Sequence, residues 1–212
     1  MHPVFITGIG TGIGKTLVSA IVTEALQADY WKPVQAGFDD GTDTGWIQER
    51  ISNSKTIFHK EAYKLALPAS PHIAAKDENV RISLDVIADA YKALPAANEY
   101  VVIEGAGGIF VPLNEDEFVI DLIAKLRAKV ILVSRNYLGS INHSILTAEA
   151  CKARNLDVAG WIFNDQYMHY ESEIARWSGY PSLSSVPFTE NPDKAFVQQQ
   201  AVILRSALQN AL

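Results

Sequence analysis

A glycine-rich segment near the amino terminus constrains the fold of this 212-residue chain more than any other feature. It reads Gly8-Ile9-Gly10-Thr11-Gly12-Ile13-Gly14-Lys15-Thr16, between a short apolar run and a stretch with helical spacing of its apolar residues. Glycines let backbone amides converge on phosphate oxygens at the positive end of a helix, while the lysine can bridge terminal phosphates and the threonine hydroxyl can reach Mg²⁺. Five residues, not the usual four, separate the first glycine from the last, so we expect a slightly longer phosphate-binding loop.

Short apolar runs alternate along the chain with longer stretches of helical periodicity, which is typical of parallel strands buried under crossover helices. The predicted strands are 4–7, 30–34, 100–104, 130–134, 158–164 and 184–187, and the predicted helices are 15–27, 83–94, 118–127, 141–154 and 193–212. Right-handed crossovers would give an α/β fold, a doubly wound, mainly parallel sheet with helices on both faces and ligands at the carboxyl ends of the strands. We predict a single domain over residues 1–212, with substrate-facing insertions in the irregular part, 37–79.

Charge and targeting signals exclude several classes of protein. The chain has 24 acidic and 18 basic residues, a net charge of -6, which argues against a protein whose main task is to neutralise nucleic-acid phosphates. Neither a signal peptide nor an apolar run of membrane-spanning length is evident. The one cysteine, Cys151, cannot form an intramolecular disulfide and reads as a small core residue. We therefore expect a cytoplasmic protein without nucleic-acid or membrane partners.

Three charged residues outside the loop are candidates for the same site. Glu104 ends the third predicted strand, before the small residues 105–108, and is expected beside the phosphate loop as a magnesium ligand. A helix-capping or salt-bridged glutamate is the alternative. Lys32 lies in the second predicted strand, where a buried ammonium is costly unless it meets an anion; a snorkelling lysine on an edge strand is the alternative. Asp43, which precedes a short helical piece at 46–50, by itself suggests a helix cap.

Taken together, these segments resemble the dethiobiotin synthetase family of biotin biosynthesis. The resemblance rests on 8–16, Lys32-Pro33-Val34, Ser70-Pro71-His72, the EGAGG sequence at 104–108 and the LGSINH sequence at 138–143, in the family's order. It covers residues 5 to about 192 and is weakest over 37–64. It implies a P-loop NTPase fold and a homodimeric, ATP-dependent, Mg²⁺-requiring ligase. That enzyme closes the ureido ring of 7,8-diaminononanoate with CO₂ through a carbamate and a carbamic-phosphoric anhydride, and it releases ADP and phosphate.

The same resemblance implies roles for individual residues. Lys32 would hold the carbamate and the transferring phosphoryl group, and Lys15 would stabilise charge on the phosphate. Magnesium would be held by Thr16, Asp43 and Glu104, which reverses the preference for a cap at Asp43. The implied nucleotide contacts are Gly12, Ile13, Gly14, Lys15, Thr16, Leu17, Asp43, Glu104, Gly105, Ala106, Gly107, Asn164, Asp165, Pro187, Phe188 and Thr189, with Asn164 against the adenine. The implied substrate contacts are Ala36 and, from the partner subunit across a shared interface, the helix start Gly139, Ser140, Ile141 and Asn142, whose free amides suit a carboxylate.

One position departs from the family's pattern. The family usually carries a hydroxyl residue near the diamine where this chain has Ala36, so that side-chain hydrogen bond is missing. His72 and His143 are expected to be structural, with His72 making a local hydrogen bond.

Three other functions compete with this interpretation. A cobyrinate amidase-type synthetase would need a glutaminase domain and a catalytic cysteine. A partition-type ATPase would carry a second lysine in its phosphate loop, which residues 8–14 lack. A nucleotide-dependent switch or scaffold would need the loop and the magnesium site but no diamine pocket, and Lys32 is the residue that discriminates.

Overall fold

The computed structural model describes residues 1–39, 41–165 and 167–212. Its strands are β1 (His2–Gly8), β2 (Asp29–Trp31), β3 (Val34–Ala36), β4 (Phe58–His59), β5 (Tyr63–Leu65), β6 (Tyr100–Glu104), β7 (Lys129–Arg135), β8 (Val158–Asn164) and β9 (Ser182–Val186). Its helices are α1 (Lys15–Leu26), α2 (Asp43–Gln48), α3 (Pro71–Asp77), α4 (Leu84–Ala93), α5 (Val119–Leu126), α6 (Ser140–Ala153), α7 (Glu171–Ser178) and α8 (Lys194–Ala211). None of the helices in these described ranges is long and apolar enough to cross a membrane.

Seven strands form one sheet in the order β4-β2-β6-β1-β7-β8-β9, and every neighbouring pair is parallel. From β1 the chain first builds the β2 side of the sheet and later continues through β7, β8 and β9 on the other side, so the direction of winding reverses at β1. Such a reversal leaves a crevice at the carboxyl ends of the strands. The phosphate-binding loop follows β1 at this point. The predicted α/β architecture is confirmed.

Both faces of the sheet are buried, and alternate residues of each central strand serve opposite faces. Phe5, with Ile103 and Leu132 of the neighbouring strands, belongs to one apolar cluster that includes residues of α4, α5 and α6. Ile6, with Val102, belongs to the other cluster, which includes residues of α1 and α8. Strands covered on both faces have few polar positions. For this reason the sequence shows them as continuous apolar runs.

Residues 30–34 do not form the single strand that the sequence predicts. β2 ends at Trp31, and the carbonyl oxygen of Pro33 accepts hydrogen bonds from the N–H groups of Ala62 and Tyr63 at 2.9 Å each. β3 then begins at Val34 and pairs with β5 in a separate two-stranded parallel sheet. Proline has no N–H to donate to a sheet ladder, which explains the break. The chain therefore leaves the central sheet at Lys32, beside the crevice.

The irregular part, 37–79, contains four short elements: α2, β4, β5 and α3. The two strands have two and three residues, and the two helices have six and seven. Elements this short cannot display a period of 2 or 3.6 residues in the sequence. The sequence also missed α7, which carries few apolar residues. The small sheet matters for the site, because β3, which pairs with β5, lines one wall of the crevice.

Candidate active site

The phosphate-binding loop joins the end of β1 to the first turn of α1. Gly12 and Gly14 have φ values of 73° and 91°, in the left-handed region where glycine is favoured. Lys15 begins α1, and its Nζ donates to the carbonyl oxygen of Gly10 at 2.6 Å, so the ammonium folds back over the loop. Asn164, at the end of β8, donates from its Nδ2 to the carbonyl oxygen of Ile13 at 3.0 Å. This hydrogen bond ties the loop to the end of β8.

Gly14 packs so closely on Asn164 that a Cβ fits only if the Asn164 side chain moves. A Cβ added at Gly14 would lie 1.8 Å from the Nδ2 atom of Asn164, and the left-handed backbone adds strain. We expect Gly14→Ala to lower the free energy of unfolding by at least about 1–2 kcal/mol, the cost of a left-handed conformation for an L-residue, before the clash is counted. Urea titration of the nucleotide-free protein measures this. Gly10→Ala is the matched control, because a Cβ there meets nothing within 4 Å; equal losses for the two variants would contradict the prediction.

Four of the predicted site residues meet at the carboxyl ends of β2 and β6. The Oγ1 atom of Thr16 lies 2.9 Å from the Oδ1 of Asp43 and 2.9 Å from the Oε1 of Glu104. The Nζ of Lys32 lies 2.6 Å from the Oδ2 of Asp43 and 3.1 Å from the Oε1 of Glu104. Tyr30 donates its hydroxyl to the Oε2 of Glu104 at 2.9 Å. A hydroxyl has one proton, so Thr16 donates to one carboxylate at a time. The hydroxyl and the two carboxylates thus bring three oxygen atoms close together at this point.

Lys32 is buried among anions, so the alternative of a snorkelling lysine is wrong. Only 5% of it is exposed, and it bridges both carboxylates. Glu104 is 1% exposed, and it does form the salt bridge that the sequence left open as an alternative, within the same cluster. Lys32 and Glu104 lie next to each other because the parallel sheet brings the ends of β2 and β6 side by side.

The helix-cap interpretation of Asp43 is also wrong. Thr42 is the N-cap of α2, and its Oγ1 accepts from the N–H of Gly45 at 3.0 Å. Asp43 occupies the first helical position, which leaves its carboxylate to Lys32 and Thr16. The sequence reasoning missed Gln35, whose Oε1 accepts from the N–H of Asp43 at 3.3 Å while its Nε2 donates to the carbonyl oxygen of Gly37 at 2.8 Å. The signal for Gln35 in the sequence was its amide side chain directly after Lys32-Pro33-Val34.

Burial and charge act in opposite directions on the ionisable groups. Burial lowers the pKa of Lys15 to about 8, although the Glu104 carboxylate works against this shift. Burial alone would lower the pKa of Lys32 too, but Glu104 and Asp43 outweigh it, so that this pKa lies above its ordinary value. For Asp43 the burial effect is outweighed by the Lys32 ammonium, and its pKa is lowered. The site therefore keeps Lys32 as an ammonium beside ionised Asp43 at neutral pH.

A cavity of about 780 Å³ opens over this cluster. The residues with predicted site roles that line it are Gly12, Gly14, Lys15, Thr16, Leu17, Lys32, Ala36, Asp43, Glu104, Ala106 and Gly107. Its far wall is formed by β3 and by residues 68–71 at the start of α3. One continuous space thus reaches from the phosphate loop to Ala36.

The predicted adenine contacts lie on the other side of the phosphate loop. In the sheet Asn164 pairs with Val186, so Pro187, Phe188 and Thr189 follow β9 directly beside it. Phe188 is 63% exposed. Asp165 lies 3.4 Å from the Nη2 of Arg135 and lines a neighbouring pocket of about 420 Å³ with Gly12 and Ile13. The arrangement gathers these residues at one edge, and their contact with a base stays a prediction.

The four residues predicted to bind the substrate's tail do not line the cavity of their own chain. Gly139, with a φ of 101°, precedes α6, and Ser140 hydrogen-bonds the Tyr170 hydroxyl at 2.7 Å. Ile141 and Asn142 follow in the first turn, next to the 94% exposed Leu138. Their supply by a partner subunit stays a prediction.

The remaining candidates behave as structural residues. Cys151 is buried in α6, where burial raises the pKa of its thiol to about 12, as a core residue should. His143 contacts the hydroxyl of Tyr137 at 2.8 Å through its Nδ1. His72 makes the predicted local hydrogen bond, from its Nδ1 to the Oγ of Ser70 at 3.0 Å.

The oxygen cluster fits Mg²⁺ in its chemistry. Within the described ranges no group of three or more His, Cys, Asp or Glu side chains could hold a metal by itself. Mg²⁺ in nucleotide sites, however, binds through one or two carboxylates together with phosphates and water. Thr16, Asp43 and Glu104 offer the oxygen ligands that this mode requires.

Known proteins resemble this chain over nearly its whole length. A family profile described as an AAA domain matches residues 2–195. The ATP-dependent dethiobiotin synthetase BioD of Cytophaga hutchinsonii is 49% identical over 207 residues, which cover 96% of this chain and 97% of that protein. The protein of the same name from Christiangramia forsetii is 43% identical over 205 residues, 96% of each chain.

Solved structures share the fold at low sequence identity. A plasmid partition protein from Borrelia burgdorferi aligns with a TM-score of 0.62 at 14% identity, over 99% of this chain and 98% of that one. The septum site-determining protein MinD from Pyrococcus horikoshii, complexed with Mg-ADP, aligns with a TM-score of 0.61 at 16% identity, over 99% and 92% of the two chains. These likenesses show the fold alone, whereas the two dethiobiotin synthetases are 49% and 43% identical over 96% of this chain.

Proposed function

Because the chain belongs to the ATP-dependent dethiobiotin synthetase family, we propose that it converts 7,8-diaminononanoate, CO₂ and ATP into dethiobiotin, ADP and phosphate. The chain is an ATP-dependent ligase of biotin biosynthesis. The observation that carries the proposed reaction is the buried Lys32 ammonium, held between Asp43 and Glu104 next to the phosphate loop. This places a fixed positive charge between the nucleotide side of the cavity and its far wall.

The proposed chemistry has three steps. One amine of the substrate adds to CO₂ and loses a proton, which gives a carbamate. A carbamate oxygen then attacks the terminal phosphorus of ATP, with ADP as the leaving group, and a carbamic-phosphoric anhydride forms. The second amine attacks the carbonyl carbon, a proton is lost, and phosphate departs as the ring closes.

Lys32 and Lys15 act electrostatically in this scheme. The Lys32 ammonium, which bridges the carboxylates of Asp43 and Glu104, holds the carbamate and the transferring phosphoryl group. Lys15, at the first turn of α1, stabilises negative charge on the terminal phosphate. Both groups sit in a buried site, where charge stabilisation is stronger than in water.

Thr16, Asp43 and Glu104 would hold Mg²⁺, which neutralises phosphate charge when bound. The loop amides from Gly12 to Leu17 and the small residues Gly105, Ala106 and Gly107 cradle the phosphates. Asn164, with Asp165 and residues 187–189, would hold the adenine.

A homodimer completes the proposed site. The first turn of α6, residues 139–142 of the partner subunit, would bind the carboxylate tail of the substrate through free backbone amides. These residues lie outside the cavity of their own chain, which is compatible with a role in a second subunit's site.

Product analysis tests the proposed function. Purified protein is incubated with 7,8-diaminononanoate, bicarbonate and MgATP, and dethiobiotin is measured by mass spectrometry alongside ADP. We expect dethiobiotin in proportion to ADP. ADP without dethiobiotin would contradict the proposed substrate, and neither product from folded, ATP-binding protein would favour a nucleotide-dependent switch.

A further inference from the structure

The far wall of the cavity offers few hydrogen-bonding groups to a polar substrate. Ala36 presents only a methyl group, where the family usually has a hydroxyl. Val34, Pro68, Ala69 and Pro71 add further apolar surface. A diamine or carbamate placed against this wall would lose hydrogen bonds to water without recovering them from these side chains.

Two polar side chains lie on this wall among the described residues that line the cavity, Gln35 and Ser70. The Gln35 amide is already engaged at both ends, with the N–H of Asp43 and the carbonyl oxygen of Gly37. Ser70 is half-buried, and its hydroxyl has one side-chain partner, the Nδ1 of His72 at 3.0 Å. Ser70 therefore keeps hydrogen-bonding capacity toward the cavity.

The position of Ser70 follows from the small sheet. The N–H of Gly37 donates to the carbonyl oxygen of Leu65 at 2.9 Å, which extends the β3–β5 pairing past Ala36. Pro68 lies so close to Gly37 that an added Cβ there would be 2.7 Å from the proline Cβ. This packing brings the segment that ends at Ser70 onto the same wall as Ala36.

The hydroxyl of Ser70 is not used to cap α3. Ser70 occupies the N-cap position, where serine usually accepts from a first-turn N–H, but it makes no such bond. If the Nδ1 of His72 accepts the hydroxyl proton, the lone pairs of Oγ stay open to an amine; if Nδ1 donates, the hydroxyl proton stays open to a carbamate oxygen. In either tautomer of His72, the Ser70 hydroxyl keeps a hydrogen-bond donor or acceptor that the substrate can use.

We propose that Ser70 is a specificity-determining residue that hydrogen-bonds the reacting amine of the diamine, or the carbamate formed from it, from a wall of the cavity where Ala36 offers no hydrogen bond. This inference rests on the proposed function. Ser70 acts from the segment before α3, whereas position 36 acts from the end of β3, and the two face one space.

Steady-state kinetics of Ser70→Ala test the proposal. We expect the KM for 7,8-diaminononanoate to rise about 3- to 10-fold, the loss of one ordinary hydrogen bond, with the KM for ATP unchanged. Ser70→Thr, which keeps the hydroxyl, should stay within about twofold of wild type. Ser54→Ala, which removes an exposed serine hydroxyl outside the cavity, is the matched control. Ser70 caps no N–H, so the melting temperature should fall only by the small amount that the lost hydrogen bond to His72 accounts for.

The outcomes separate this inference from the proposed function. Wild-type protein that forms dethiobiotin, together with folded Ser70→Ala whose KM for the diamine is unchanged, would overturn the role of Ser70 alone. Equal rises in the KM for the diamine and for ATP would overturn it as well. Wild-type protein that forms no dethiobiotin would overturn the proposed function first, and the role of Ser70 with it.

Discussion

Lys32→Met is expected to reduce turnover by about 10²- to 10³-fold while ATP still binds, because it removes a fixed positive charge that stabilises the transferring phosphoryl group. Methionine is of similar length and carries no charge, so the change is mainly electrostatic. The kcat for ADP and dethiobiotin formation should fall, whereas the Kd for ATP, measured by calorimetry, should change little. A variant with near-wild-type ring closure would remove Lys32 from the mechanism.

The same substitution should also change the stability of the protein. Without the ammonium, buried Glu104 and partly exposed Asp43 face each other as like charges, and breaking a buried pair in this way costs about 3–5 kcal/mol. Added Mg²⁺ should recover part of this loss in the variant, because the cation takes over the neutralising role. Lys60→Met, at an exposed lysine just after β4, is the matched control and should change neither turnover nor stability.

Thr16→Val is the second substitution with a large expected effect. Valine has nearly the same shape as threonine but lacks the hydroxyl that meets Asp43 and Glu104. Even the substitution of a residue that contacts a metal only through one of its ligands lowers metal affinity about 10- to 100-fold. Loss of a direct ligand should therefore raise the Mg²⁺ concentration for half-maximal turnover by at least about 100-fold.

Thr16→Ser provides the control, since it keeps the hydroxyl and loses only a methyl group. We expect its Mg²⁺ dependence to stay close to that of the wild type. Because Thr16→Val also loses the hydrogen bonds of this hydroxyl to Asp43 and Glu104, both titrations are made well below the lower of the two melting temperatures. Identical Mg²⁺ dependence in Thr16→Val and wild type would show that this residue is not a ligand.

The parts of the site that the sequence predicts are those formed by short, contiguous segments. The loop from Gly8 to Thr16 carries its chemistry in nine neighbouring residues, and β6 and β8 have the predicted bounds. Glu104 could be placed beside the loop because it ends a buried parallel strand, and the carboxyl ends of such strands lie together at the ligand-binding crevice. In these elements the residues that give the sequence pattern are also the residues that form the site.

Other parts depend on contacts between distant segments. Asp43 lies 27 residues from Thr16, and its own surroundings in the sequence suggested a cap; the family resemblance implied a role with Thr16, and the contact itself forms where α2 meets β2 and β6. Ser70 belongs to the Ser70-Pro71-His72 segment that carries the family resemblance, but nothing in the sequence places it or Gln35 on the wall of the cavity. Their positions arise from the pairing of β3 with β5, two strands of three residues each.

The sequence by itself determined the phosphate-binding loop, the parallel α/β sheet and the resemblance to dethiobiotin synthetases. Buried strands must be apolar on both faces, and a loop that cradles phosphate needs its glycines, lysine and threonine at fixed spacing. Only the tertiary structure decided that the second predicted strand breaks at Pro33, that Asp43 joins Lys32, and that Ser70 lies on the wall of Ala36. Short strands and single side chains carry no periodic signal, so their places are set by packing across the chain.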